Sequence, residues 1–189
     1  MATLADSPAP ALRGMVYAAV FGAATAAGAY IMIPIPPVPV TLQTLFMALA
    51  AVLLGGRWGA ASQGIYIVLG LMGLPVFAGG KAGLGVLFGP TGGYLVGFVA
   101  GAYVTGRLME AASRPGPFRT AAAVSAGYVV VYTLGVAGLC LVGGLGIRAA
   151  LPAGVLPFLP GDVLKAAAVA LIAPRIREHV SFFPRGGGG

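Results

Sequence analysis

Thr120-Ala-Ala-Ala-Val-Ser-Ala-Gly-Tyr-Val-Val-Val-Tyr-Thr-Leu-Gly-Val-Ala-Gly-Leu-Cys-Leu-Val142 is the stretch that decides the fold. No charged residue interrupts it. An α-helix rises about 1.5 Å per residue, so roughly 20 apolar residues cross the hydrocarbon core of a bilayer. This run has that length with residues to spare, so it is expected to tilt or project from the membrane. It is apolar all round, whereas a surface helix of a water-soluble domain keeps one polar face.

Five further segments of the same character flank it: Met15 to Ile33, Thr41 to Gly56, Gly59 to Phe77, Pro90 to Met109, and Phe158 to Ile176. The second of the six is short and should run steeply across the membrane or reach only part-way. The expected fold is an all-α integral membrane protein with six transmembrane helices. Composition agrees, because 59% of the 189 residues are hydrophobic and only 8% are charged, against about a quarter charged in soluble domains. The 32 glycines suit helices whose backbones approach closely in lipid. The expected organisation is a segment 1-14, one six-helix domain 15-177 and a tail 178-189, with no room for a separate soluble domain. The first span carries Ala27-Gly28-Ala29, loosely like a cleavage site, but its removal would only leave a membrane protein with one span fewer. The single Cys140, in an apolar run, reads as a buried structural thiol.

Charge sets the orientation. With six spans both termini share a side, and that side also holds Arg13, Arg57, Arg107, Arg114, Arg119, Arg175, Arg177 and Arg185, against only Lys81 and Arg148 opposite. Cytoplasmic loops carry the excess of Lys and Arg, so both termini are expected to be cytoplasmic. The net charge of +7 is therefore a topology signal and lipid-facing. It lacks the aromatic interleaving of a nucleic-acid-binding face, and no nucleic-acid partner is expected.

The same topology gathers three loops rich in Pro and Gly on the outer side: Pro34 to Val40, Ala78 to Gly85 with Phe88 to Gly93, and Leu156 to Asp162. Irregular backbone at membrane depth is tolerated only where it is buried in protein or lines a cavity, so a pocket is expected in the outer half. Asp162 and Lys165 lie three residues apart on one helical face. A charge at the centre of a span costs roughly 2.5 to 3.5 kcal/mol, which calls for a partner or a function. Two roles fit: contact with a ligand, or an ion pair that merely ties the last helix into the bundle. Lys81, among small flexible neighbours on the side poor in positive charge, suits an anionic ligand group or plain solvation. Gln43 can donate to and accept from a ligand or bond another helix. Tyr94 and Tyr30 can stack on a ring or anchor at the interface. The Gly93, Gly97, Gly101 stripe reads as helix packing. The Ala19, Ala23, Ala27 stripe reads as intramolecular packing or as a face for another membrane subunit. One His, one Cys and four acidic residues assemble no metal cluster or nucleophile–base set, and no phosphate-binding Gly-x4-Gly-Lys-Ser/Thr motif is present, so no enzyme is expected.

Taken in order, Pro34-Ile-Pro-Pro-Val-Pro-Val-Thr-Leu-Gln-Thr-Leu45, Gly73-Leu-Pro-Val-Phe-Ala-Gly-Gly80, Gly89-Pro-Thr-Gly-Gly-Tyr-Leu95 and Pro157-Phe-Leu-Pro-Gly-Asp162 with Lys165 closely resemble the BioY family, the biotin-specific S components of energy-coupling factor transporters. The resemblance covers about Met15 to Ile176. It implies an S-component fold in the bacterial cytoplasmic membrane, with biotin as transported ligand and no cofactor. It also implies a coupling transmembrane subunit and two ATPase subunits as partners, the coupling subunit docking at Ala19 and Ala23. The sequence leaves open a dedicated module, a shared one, or none, with a homo-oligomer acting alone. Biotin has a carboxylate, a ureido ring with two N–H donors and one carbonyl, and an apolar thiolane body. Asp162 suits the ureido N–H groups, and Lys165 or Lys81 suits the carboxylate or carbonyl, while Phe77 and Tyr94 would cover the rings. The alternative is another small vitamin, such as thiamine or riboflavin, held by changed loops.

Overall fold

The computed structural model describes residues 10–111 and 115–179; the expectations that fall on 1–9, 112–114 and 180–189, including those for Arg114 and Arg185, lie outside them. In chain order the elements are α1 (Pro10–Tyr30), β1 (Met32–Ile33), β2 (Val40–Thr41), α2 (Gln43–Leu71), α3 (Leu84–Leu87), α4 (Gly92–Glu110), α5 (Pro117–Leu141), α6 (Ile147–Gly154) and α7 (Leu159–His179). Among the described residues, Ala11–Tyr30, α2 and α5 are each long and apolar enough to cross a membrane. A fourth span arises if α6 and the start of α7, bent by 47°, are taken together.

The 29 residues of α2 do not form one rod. Gly55 has φ 83 and ψ −178, a left-handed backbone that costs side-chain-bearing residues energy and glycine almost nothing. The chain folds back there. Gln43 Nε2 donates to the Tyr66 hydroxyl, although 23 residues of straight helix would hold them about 35 Å apart. A Cβ on Gly59 would stand 2.8 Å from the Ala51 Cα, so the two arms touch backbone to backbone. The second and third expected segments are thus both present. Their junction is one residue at Gly55, not the expected break between Gly56 and Gly59, because Arg57 and Trp58 continue the helix once the glycine has turned it. The third segment ends at Leu71 instead of Phe77, since Gly73, with φ 99, and Pro75 close the helix. The short α3 and α6 had no signal in the apolar pattern.

Small residues decide how the helices meet. A Cβ at Gly93 would lie 2.1 Å from the Leu134 carbonyl oxygen, at Gly97 2.9 Å from the Val131 Cα, and at Gly101 2.7 Å from the Gly127 carbonyl oxygen, so the expected stripe is the seam between α4 and α5. Ala19, Ala23 and Ala27 behave differently. All three are exposed, while the opposite face of α1, with Ala18, Thr25, Ala26 and Ala29, is buried against α2. Of the two readings of that stripe, intramolecular packing does not hold. Cys140 is half-buried, not buried.

Arg13, Arg57, Arg107, Arg119 and Arg175 gather at one end of the bundle, and Lys81 and Arg148 at the other. At the basic end α4 approaches the α2 turn so closely that a Cβ on Gly106 would stand 2.3 Å from the Gly55 carbonyl carbon. Glu110 Oε1 accepts the Gly56 N–H at 2.8 Å, and its other oxygen pairs with Arg107 at 3.0 Å. The ion pair is largely exposed and contributes little; the backbone bond is the greater part. Replacing Glu110 by Ala is expected to destabilise the fold by about 1 kcal/mol, read as a melting temperature a few degrees lower, with ligand affinity at the far end unchanged.

Candidate functional site

The end opposite Arg13, Arg57, Arg107, Arg119 and Arg175 holds the Pro- and Gly-rich loops. After α1 the chain forms a two-rung antiparallel ladder, Met32 with Thr41 and Ile33 with Val40, closed by the Pro-rich turn with a cis peptide between Pro36 and Pro37. Leu42 N–H reaches back to the carbonyls of Gly28 and Ile31, which seats the first residues of α2 beside the end of α1. Proline removes donors that the turn could not satisfy and fixes its course. Between α2 and α4, Phe77 N–H bonds the Lys81 carbonyl at 3.0 Å, and Gly79 and Gly80 supply the positive φ of the tight turn. The Phe77 ring packs edge-on against Tyr66, centroids 5.6 Å apart.

These loops roof a cavity lined by Pro37, Val38, Pro39, Thr41, Gln43 and Thr44 from the first loop and α2. Phe77, Ala78 and Lys81 line it from the second loop, Val86 from α3, Thr91, Tyr94, Leu95 and Phe98 from α4 and its approach, and Tyr66, Val131, Tyr132, Phe158, Asp162 and Lys165 from α2, α5, and α7 with its approach. Its walls are mostly apolar and aromatic with a few converging polar groups, the usual make-up of a small-molecule site.

The polar groups form a connected set. Asp162 and Lys165 are 97% and 92% withdrawn from solvent, judging by exposures of 3% and 8%, and form an ion pair at 2.8 Å. Lys165 Nζ also donates to the Thr41 carbonyl at 2.7 Å and to Thr44 Oγ1 at 3.0 Å. Asp162 Oδ1 accepts from Thr44 Oγ1 at 2.9 Å, and Oδ2 from the Tyr132 hydroxyl at 2.5 Å. Tyr128 donates to the Thr44 carbonyl. Buried charges survive only when paired and hydrogen-bonded, and this pair is both. The three ammonium hydrogens of Lys165 are all engaged, whereas Asp162 Oδ2 retains acceptor capacity toward the cavity.

Six of the seven residues singled out from sequence converge here: Asp162, Lys165, Lys81, Gln43, Tyr94 and Phe77. Lys81 is exposed at the rim. The Tyr94 ring packs near Phe158, centroids 6.1 Å apart, while its hydroxyl donates to the Gly154 carbonyl at 2.8 Å. Tyr30 is not a wall of the cavity. The residue is 59% exposed and its hydroxyl donates to the Pro75 carbonyl, so it ties the end of α1 to the segment that follows α2. Thr44, Tyr66, Tyr128, Tyr132 and Phe158 were not foreseen. Thr44 stands inside the Thr-Leu-Gln-Thr motif, and Tyr128 and Tyr132 are one turn apart in an otherwise apolar run. Those were the available signals.

The BioY family model matches residues 1–182. The chain is 43% identical over 167 residues to the "Biotin transporter BioY" of Thermotoga maritima, covering 88% of this chain and 97% of that protein. It is 40% identical over 155 residues to the "Biotin transporter BioY" of Rhizobium etli, covering 78% and 82% respectively. A solved structure, the S-component for biotin from an ECF-type ABC transporter, superposes with a TM-score of 0.82 at 28% identity over 92% of this chain and 95% of that one. Sequence motifs, bundle geometry and these likenesses agree: the chain belongs to the BioY family.

Proposed function

We propose that this protein captures biotin at the outer face of a bacterial cytoplasmic membrane, as the substrate-binding subunit of an energy-coupling factor transporter. The observation that carries the reading is the buried Asp162–Lys165 pair set into an aromatic cavity, with Lys81 at its mouth. The match is chemical. A cyclic urea brings two N–H donors and one acceptor to a polar network, a thiolane body fills apolar space, and a carboxylate reaches a rim cation. The names of the relatives favour biotin over thiamine or riboflavin. Calorimetry on the purified protein tests it: biotin binds tightly and excess thiamine or riboflavin does not compete. Binding heat from thiamine or riboflavin, with none from biotin, would move the function to the alternative.

Topology follows the same reading. The α2 hairpin supplies two crossings, which with α1, α4, α5 and α7 make six, and the arginine-rich end faces the cytoplasm with both termini. The exposed small-residue face of α1 at Ala19 and Ala23 is the docking surface for a coupling transmembrane subunit, which joins two ATPase subunits to this chain. The cavity-rim role of Lys81 has its own test. If its ammonium meets the carboxylate, the parent prefers biotin to biotin methyl ester. Lys81→Ala should then weaken biotin about tenfold, the size of one solvent-accessible charge-assisted contact, and erase the preference. An unchanged preference would return Lys81 to a solvated loop.

A further inference from the structure

Resting on the biotin reading, we infer that Tyr66 is a specificity-determining donor that meets the ureido carbonyl, and that Gln43 is the residue that aims it. The inference comes from counting hydrogens in the chain Thr41, Gln43, Tyr66. Thr41 Oγ1 accepts the Gln43 N–H at 3.2 Å and gives its own proton to Gln43 Oε1 at 2.8 Å. The Gln43 amide is thereby fixed with its nitrogen toward Tyr66, and it donates to the phenol oxygen. The Tyr66 oxygen is then an acceptor already served, and among the described residues nothing takes its proton. Tyr66 is fully buried as a residue yet is part of the cavity wall, so a ligand is the natural recipient.

Which ligand atom it meets follows from the neighbours. The backbone carbonyl of the same Thr41 accepts from Lys165, so the Tyr66 chain and the Asp162–Lys165 pair are one network. Within one cavity, that network offers a hydroxyl proton at Tyr66 and a further acceptor position on Asp162 Oδ2 besides the one Tyr132 fills. A cyclic urea presents the complement, a carbonyl oxygen flanked by N–H groups. With Phe77 packed edge-on, the phenol ring has little freedom to turn away, and donor and acceptor stay oriented before the ligand arrives. A site built to hydrogen-bond one ligand atom rejects analogues that lack it.

The test compares biotin with its thiocarbonyl analogue, in which sulfur, a weak acceptor, replaces the ring oxygen. Binding is measured by calorimetry on the full-length protein in detergent. The parent should prefer biotin; Tyr66→Phe should weaken biotin about tenfold, the loss of one buried neutral bond, and abolish most of the preference. Gln43→Glu, whose carboxylate would draw the Tyr66 proton to itself, should lower the preference in the same direction. A Tyr66→Phe protein that binds both compounds more weakly by one common factor, keeping the parent's preference, overturns the assignment, since a merely structural tyrosine behaves that way. Unchanged affinity for both overturns it too. A parent that does not bind biotin at all refutes the function itself, a result distinct from either.

Discussion

Asp162→Asn should abolish high-affinity biotin binding, with a loss of about 100-fold or more. The carboxylate takes three donors at once, Thr44 and Lys165 on one oxygen and Tyr132 on the other. An amide of the same shape accepts on one side only and turns an N–H2 toward donors on the other. Lys165 keeps its two oxygen partners from Thr41 and Thr44 but loses its counter-charge where it is buried. Removing one member of a buried, hydrogen-bonded charge pair costs about 2 to 5 kcal/mol. Lys165→Ala should produce a loss of similar size for the mirror reason. The two readings of the pair part company in the double variant Asp162→Asn with Lys165→Met. If the pair only ties α7 into the bundle, neutralising both restores melting temperature and binding together. If the pair also meets the ligand, melting recovers while calorimetry still finds no tight binding. Single variants that bind like the parent would remove both residues from the site.

How far sequence carried the reading can be judged from the residues themselves. Charges inside apolar runs are costly enough to be conspicuous, so Asp162 and Lys165 stood out, as did the Pro and Gly loops that roof the cavity. Tyr132 and Thr44 did not. A hydroxyl in a span is cheap, occurs in many harmless places, and acquires meaning only when the fold brings it within reach of a carboxylate from 30 or 118 positions away. Tyr30 failed for the opposite reason, since interfacial position looks the same whether a ring faces a ligand or the carbonyl of Pro75. The long helices were legible because apolar runs without charge stand out by length. Their joints were less so: whether a glycine such as Gly55 turns the chain, or sits inside a helix like Gly64, depends on what packs against it. The alanine stripe on α1 was ambiguous because small residues smooth any contact surface, and only the burial of the other face of the helix set intramolecular packing aside.

The glycine seam between α4 and α5 yields the second large expectation. Gly93→Val should disable both the fold and the site. A Cβ alone would stand 2.1 Å from the Leu134 carbonyl oxygen and 3.2 Å from the Gly138 Cα. Both are backbone atoms, so no side chain can swing aside and α4 must move off α5. Over-packing of this kind costs typically 1 to 3 kcal/mol where neighbours can yield, and here they cannot, so about 3 kcal/mol is the lower figure. At about 2 to 4 °C per kcal/mol for a chain of this length, the melting temperature should fall by roughly 10 °C. The displacement also reaches the ligand. Gly93 directly precedes Tyr94, whose hydroxyl anchors α6 through Gly154 and whose ring is part of the cavity wall. Gly154 in turn leaves no room, since a Cβ there would lie 2.4 Å from that hydroxyl, so α6 must shift with it. Thermal melting followed by calorimetry at a temperature where the variant is still folded separates the two effects. Weakened biotin binding by folded protein would mean that the seam positions the pocket wall. Unchanged melting and unchanged binding would mean that the α4 and α5 backbones do not approach as closely as the glycines allow.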